Sequence, residues 1–318
     1  MQMTMLTLVF TLATVGCAAQ GLDAGRGGGA DAGQRVGQAT QFSPAQLAQF
    51  LTADAAYLYW TTQNQGIRRA PLGGGEAATL VLGEPDAWQL AVDRDNIYWV
   101  TLAGDVRKAP LAGGSAVTLA SGASVSGIAV DGDSLYWATG SQTPSGNIMR
   151  LPLGGGPPSV LATVPGGPEA LTIDADNVYV ATLDSVFKVA KSSGTVERIA
   201  SGQAGNESIA VDATGVYWLD NNLGAIWKTA LDGGLATAVA SGLPRGQSGP
   251  YYLAVDRSGV YWTNGSGTIE MAALPSLARY VIATGQDFPS AITLAAGNVY
   301  WANQGASNDD IFTMPEPQ

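Results

Sequence analysis

Three features of this 318-residue chain predict an all-β protein, a β-propeller of seven four-stranded blades. First, a unit in which an aliphatic strand ends in Asp and a second strand carries Tyr-Trp recurs seven times, its copies ending at Trp60, Trp99, Trp137, Val180, Trp218, Trp262 and Trp301. Second, the spacings between those positions are 39, 38, 43, 38, 44 and 39 residues. A period near forty with strand-like content is the signature of a radial β array. Third, Gly is abundant at 42 residues, charged residues make up 13%, and Trp and Tyr each outnumber Phe, the profile of many short strands joined by tight turns.

Taken in chain order, Met5 to Gly16 is an apolar run, too short to span a bilayer and suited to the core of a signal peptide. It ends in Ala13-Thr14-Val15-Gly16-Cys17-Ala18, which resembles the lipobox of bacterial lipoproteins. The resemblance implies cleavage before Cys17 and acylation of its thiol. Cys17 is the one Cys in the chain, so no disulfide competes for it. An ordinary secretory signal that happens to contain a Cys is the alternative. The stretch that follows is rich in Gly and Ala without hydrophobic periodicity, and reads as a flexible tether. The organisation expected is a signal at 1–16, a tether at 17–33 and one propeller domain at 34–318.

One unit shows the parts of a blade. Gly127 to Asp131 is a short apolar strand near the axis, Gly132-Asp133 turns the chain, and Ser134 to Thr139 carries Tyr136-Trp137. Asn147 to Leu153 and Ser159 to Thr163 complete four antiparallel strands. The Asp closing the first strand recurs at Asp54, Asp93, Asp131, Asp174, Asp212 and Asp256, with Ala295 in the seventh copy. Its expected role is to cap the backbone of the following turn, with a ring of metal ligands as the alternative. The Trp ladder is expected to pack successive blades, and Val180 to mark a thinner contact.

The last copy lacks a fourth strand. The segment Gln34 to Thr40 supplies one, so that the N-terminal strand completes the final blade and removes open sheet edges. Six blades with one divergent extension is the alternative count.

These units resemble the Tyr-Trp-Thr-Asp propellers of LDL-receptor type and their bacterial relatives, on Tyr261-Trp262-Thr263-Asn264, Tyr217-Trp218-Leu219-Asp220 and the turn Leu231-Asp232-Gly233. The resemblance covers about residues 49 to 318 and implies the fold. It does not carry over an activity, because propellers host unrelated functions.

The chain contains no His, which removes Ser-His-Asp and Cys-His machinery and His-ligated metals. A net charge of −11 argues against nucleic acid and anionic lipid as partners. The membrane is therefore expected to be met only through the lipid on Cys17, and the protein to be a monomer in a bacterial cell envelope. Strands repeat while loops vary, and loops carry binding residues. On the face that gathers the varied loops, the candidates are Trp88, Glu169, Glu207, Asp220, Arg245, Tyr251, Tyr252, Asn264, Asp287 and Phe288, beside Asp86, Asn221 and Asn222. Trp88, Tyr251, Tyr252 and Phe288 lie off the repeat ladder, and aromatics beside Asn and Asp suit peptides or sugars. The reading is a non-catalytic, envelope-anchored binding or scaffolding module for a protein or glycan, needing no cofactor. The alternatives are a calcium- and carboxylate-dependent lactonase- or lyase-like propeller enzyme, and a purely structural envelope lipoprotein.

Overall fold

The computed structural model describes residues 33–34, 37–44, 47–63, 65–122, 124–202, 208–246, 250–305 and 310–317. The signal, Cys17 and the tether as far as residue 32 lie outside them. Seven four-stranded antiparallel sheets follow one another, six of them built of consecutive strands and the seventh of three consecutive strands plus one from the N-terminal segment, while the sixth gains a fifth, parallel strand. The first strands of the blades are Ala48–Ala53, Ala87–Val92, Val125–Val130, Pro168–Ile173, Ile209–Asp212, Pro250–Val255 and Pro289–Ala295. Each touches the first strands of its neighbours, and the seventh touches the first, so together they form a closed ring about an axis.

The Tyr-Trp dipeptide explains the packing. Successive strand residues point to opposite faces of a sheet, so Tyr faces one neighbouring blade and Trp the other. Tyr59 shares a buried cluster with Trp99 of the next blade, Tyr98 with Trp137, Tyr179 with Trp218, Tyr261 with Trp301, and Tyr300 with Trp60 across the closure. All six ladder tryptophans are buried. Val180 is no thin contact, contrary to the expectation. It is fully buried in one cluster with Tyr136 of the preceding blade and with Phe187, its partner in the sheet.

The recurrent Asp is a turn cap, as its position implies. In Asp93, Oδ1 accepts the backbone N–H groups of Asp95 and Asn96 at 2.8 and 2.7 Å, and Oδ2 accepts the Tyr98 hydroxyl at 2.7 Å. Asp54 and Asp174 repeat this with Tyr59 and Tyr179. The seventh blade does without the carboxylate because its turn differs. Ala296 and Gly297 both have positive φ, 49° and 73°, the backbone of a type I′ hairpin.

The closing strand is Thr40–Ser43, not Gln34 to Thr40; it pairs antiparallel with Ile311–Pro315 as the outer strand of the last blade. Its register follows from Phe42, which packs edge-on against Tyr300 at 5.1 Å. Gly33–Gln34 pairs in parallel with Tyr280 and Val281 on the rim of the sixth blade. The ring is thus tied at two adjacent blades.

Candidate functional site: an aromatic arc at the mouth of the axis

In a four-stranded meander, the starts of the first strands and the connections from second to third strands share one face. Near its start, the first strand shifts register against the second in six blades, between Ala48 and Leu51, Ala87 and Leu90, Val125 and Gly127, Pro168 and Ala170, Pro250 and Leu253, and Pro289 and Ala291. A bulge re-aims side chains and ends the regular ladder. Here it frees residues around the mouth of the axis from the blade's internal pattern. Side chains at that level differ from blade to blade: Phe50, Gln89, Gly127, Ala170, Ser208, Tyr252 and Ala291 each precede the residue that pairs with the ladder position.

Aromatic rings converge there. Phe50 of the first blade meets Trp88 of the second edge-on at 4.6 Å and, past the seventh blade, Tyr252 of the sixth at 5.4 Å. Tyr251 packs against Phe288 at 5.4 Å. Trp88, Tyr251 and Tyr252 are half-buried, Phe288 is exposed and Phe50 is buried beneath them. The result is a cluster of Trp88, Phe50 and Tyr252, keyed on Phe50, and beside it in the chain a second pair, Tyr251 and Phe288; together they are called the aromatic arc. Below Phe50 and Tyr252 lies an axial cavity of about 140 Å³ walled by Leu51, Leu90, Ile128, Leu171 and Ile209. Phe288 holds φ at 55°, a conformation unfavourable to an aromatic residue, and its carbonyl accepts the Gln304 N–H at 3.0 Å. The sequence reading missed Phe50. It occupies the strand position of Tyr252, and that equivalence was the signal that could have found it.

The polar candidates divide. Glu169 stands at the mouth and accepts the Ser141 hydroxyl at 3.1 and 3.2 Å from the loop of the third blade. Arg245 is exposed on the connection into the sixth blade. Asp287 is half-buried and its carbonyl accepts the Gly305 N–H at 2.9 Å. Two expectations are corrected. Asp220 is fully buried and caps its own loop by accepting the Leu223 N–H at 2.8 Å. Asn264 is fully buried and donates to Thr268 and to Glu270, at 3.1 and 2.6 Å. Asp220 turns inward to satisfy a backbone N–H of its own loop, and Asn264 to pair with side chains of the next strand, so neither is presented to a ligand. Glu207 lies outside the described residues.

The same face exposes Leu82, Leu102, Leu183 and Leu223 on its loops, with Asp86 and Asp184 exposed beside Leu82 and Leu183. Large exposed apolar side chains around a partly apolar centre are a feature of interaction surfaces. Among the described residues, no three Cys, Asp or Glu side chains converge in a way that could hold a metal ion.

No protein-family model matches the chain, and no curated protein matches it in sequence. Solved structures do match it. A streptogramin B lyase aligns over 88% of this chain and 98% of its own, with a TM-score of 0.73 and 14% identity. A virginiamycin B lyase from Staphylococcus aureus aligns over 88% and 99%, with a TM-score of 0.70 and 15% identity. A chain of a nidogen–laminin complex aligns over 59% of this chain and 77% of its own, at 0.52 and 21%. At these identities the likeness is one of fold, the propeller.

Proposed function

We propose that this chain is a non-catalytic binding module that recognises a protein or glycan through the loop-rich face, with the arc of Trp88, Phe50, Tyr252, Tyr251 and Phe288 as its centre. The observation that carries the reading is that off-ladder aromatics gather in two groups, Trp88–Phe50–Tyr252 and Tyr251–Phe288, at the first-strand ends of this face. Aromatic side chains in a partly desolvated centre dominate binding energetics, and a polar rim sets orientation. Glu169, Asp86 and Arg245 supply that rim. Structural neighbours that include a nidogen–laminin complex and a WD40 propeller domain support the use of this fold for binding in general. In the same proposal Cys17 carries the lipid that holds the module at a bacterial envelope.

The second reading, a propeller enzyme, draws on the match to the lyases. Against it, one matched structure is a catalytically inactive His-to-Ala variant of virginiamycin B lyase with quinupristin, and this chain has no His to play that part. The test is capture of partners from an envelope extract, beside a glycan array, by the full chain and by a Trp88→Ala, Tyr252→Ala double variant. The proposal expects specific capture by the parent and its loss in the variant. Equal capture by both would remove the arc from the account. Cleavage of quinupristin, followed by mass spectrometry, would favour the enzyme.

A further inference from the structure

A second site lies on the opposite face, independent of the binding proposal, and a break in the protein's own repeat reveals it. The third-strand residue paired with the repeat Tyr is basic in five blades: Arg69, Lys108, Arg150, Lys188 and Lys228 face Tyr59, Tyr98, Tyr136, Tyr179 and Tyr217. Three of these side chains bridge the groove to the following blade. Arg69 Nη1 donates to the Leu111 carbonyl at 2.8 Å, Arg150 Nη1 to the Lys191 carbonyl at 3.5 Å, and Lys188 Nζ to Asp232 at 3.2 Å.

Lys108 and Lys228 do not bridge in this way among the described residues, and of the two Lys228 borders a cavity. The Lys228 Nζ donates to Thr214 Oγ1 at 2.7 Å within its own blade and sits 4.8 Å from the Tyr217 ring centre. An ammonium has three donors, and among the described residues this is the one hydrogen bond the Lys228 Nζ makes. The turn it would reach, Leu274 to Leu277, stands away, and a cavity of about 570 Å³ opens between the fifth and sixth blades. Its walls are Ala213, Leu274, Pro275 and Leu277, and its cations are Lys228 and Arg257. Asp212 also borders it, its carboxylate engaged by its own turn. Its Oδ1 accepts from Thr214 and Gly215, and its Oδ2 from the Tyr217 hydroxyl. Asp256 and Glu316 are the acids beside Arg257. Asp256 Oδ1 is likewise occupied, by Ser258 and Gly259.

We propose that this inter-blade pocket binds a small organic carboxylate with an apolar body. The carboxylate would lie on Lys228 and Arg257, and the body against Ala213, Leu274, Pro275 and Leu277. The volume falls in the range of about 300–1,000 Å³ usual for small-molecule sites. In a chain of net charge −11, Lys228 and Arg257 are two cations on one largely apolar cavity, and neither forms an ion pair among the described residues, so both can donate charge-assisted hydrogen bonds to a carboxylate.

The test is calorimetric titration of the full chain with sodium octanoate, and with octylammonium as the charge-reversed probe of equal length. Saturable binding of octanoate, and none of octylammonium, is expected. Lys228→Met should weaken octanoate about tenfold, since a charge-assisted hydrogen bond is lost. Absence of saturable octanoate binding, equal binding of octylammonium, or parental affinity in Lys228→Met would each overturn the proposal. Should Lys228→Met fail to fold, Arg257→Gln, at an exposed side chain, decides the matter. A severalfold weaker octanoate affinity supports the site, and an unchanged one refutes it.

Discussion

Replacing Asp93 by Ala tests how the repeated carboxylate holds a blade together. The substitution removes three acceptor contacts: the N–H groups of Asp95 and Asn96, and the hydroxyl of Tyr98. Asp95 is exposed and Asn96 half-buried, so water can replace those two bonds, and each costs about 0.5 kcal/mol. Tyr98 is 1% exposed, and its hydroxyl loses a charged acceptor in a place water reaches poorly, which costs about 2 kcal/mol. The sum is about 3 kcal/mol, and for a unit of this size it lowers Tm by about 6 °C. The assay is a urea and thermal melt of Asp93→Ala, Tyr98→Phe and the double variant. Because Asp93 and Tyr98 share one bond, their effects should be less than additive, with a coupling of about 1 to 2 kcal/mol. A melt within a degree or so of the parent, or strict additivity in the cycle, would refute the view that the Asp–Tyr contact stabilises the blade.

Glu316 gives a pH-dependent prediction. Burial, followed by its hydrogen bond and repulsion with Asp256, pushes its carboxyl up to about 7, while Arg257 works the other way. An acid whose folded pKa is raised contributes stability present below its unfolded value and lost as pH rises through the folded one. The decline should therefore run from about pH 4.5 to pH 7, and Glu316→Gln should match the parent at about pH 4 yet melt higher than it above pH 7. Equal melts across that range would count against it. Gly66 has φ of 80°, and a Cβ there would collide with the Val81 carbonyl. Gly66→Ala should thus destabilise by about 2 kcal/mol or more, read as a shift in the urea midpoint at unchanged slope.

The blades were legible because the repeat exposes them. Trp and Tyr recur in register, and their alternation across a strand dictates which neighbour each packs against. The closing strand was legible in kind but misplaced. Gln34 onward resembles Tyr280 onward in sequence, whereas in space Gln34 lies beside Val281 and the closure begins at Thr40. The anchoring Phe42–Tyr300 contact spans almost the whole chain and leaves no local trace. The site was half legible. Trp88, Tyr251, Tyr252 and Phe288 stood out by falling off the ladder, and the structure gathers them. Phe50 stayed hidden inside a strand that looked ordinary. Asp220 and Asn264 looked like surface ligands because sequence does not tell whether a polar strand end turns outward or caps its own turn. The Lys228 pocket lies further still from sequence, since it shows only when the cross-blade bonds of the other blades are laid beside it.

The account's central claim is that recognition occurs on the loop-rich face around the aromatic arc. The most direct measurement places a photo-crosslinking amino acid at the position of Phe288, 39% exposed on that face, or of Leu235, 89% exposed on a turn of the opposite face. Each full chain is then irradiated with the envelope extract. The account predicts a discrete cross-linked species from the Phe288 position and none above background from the Leu235 position. Equal products from both, or a product from the Leu235 position alone, would contradict it.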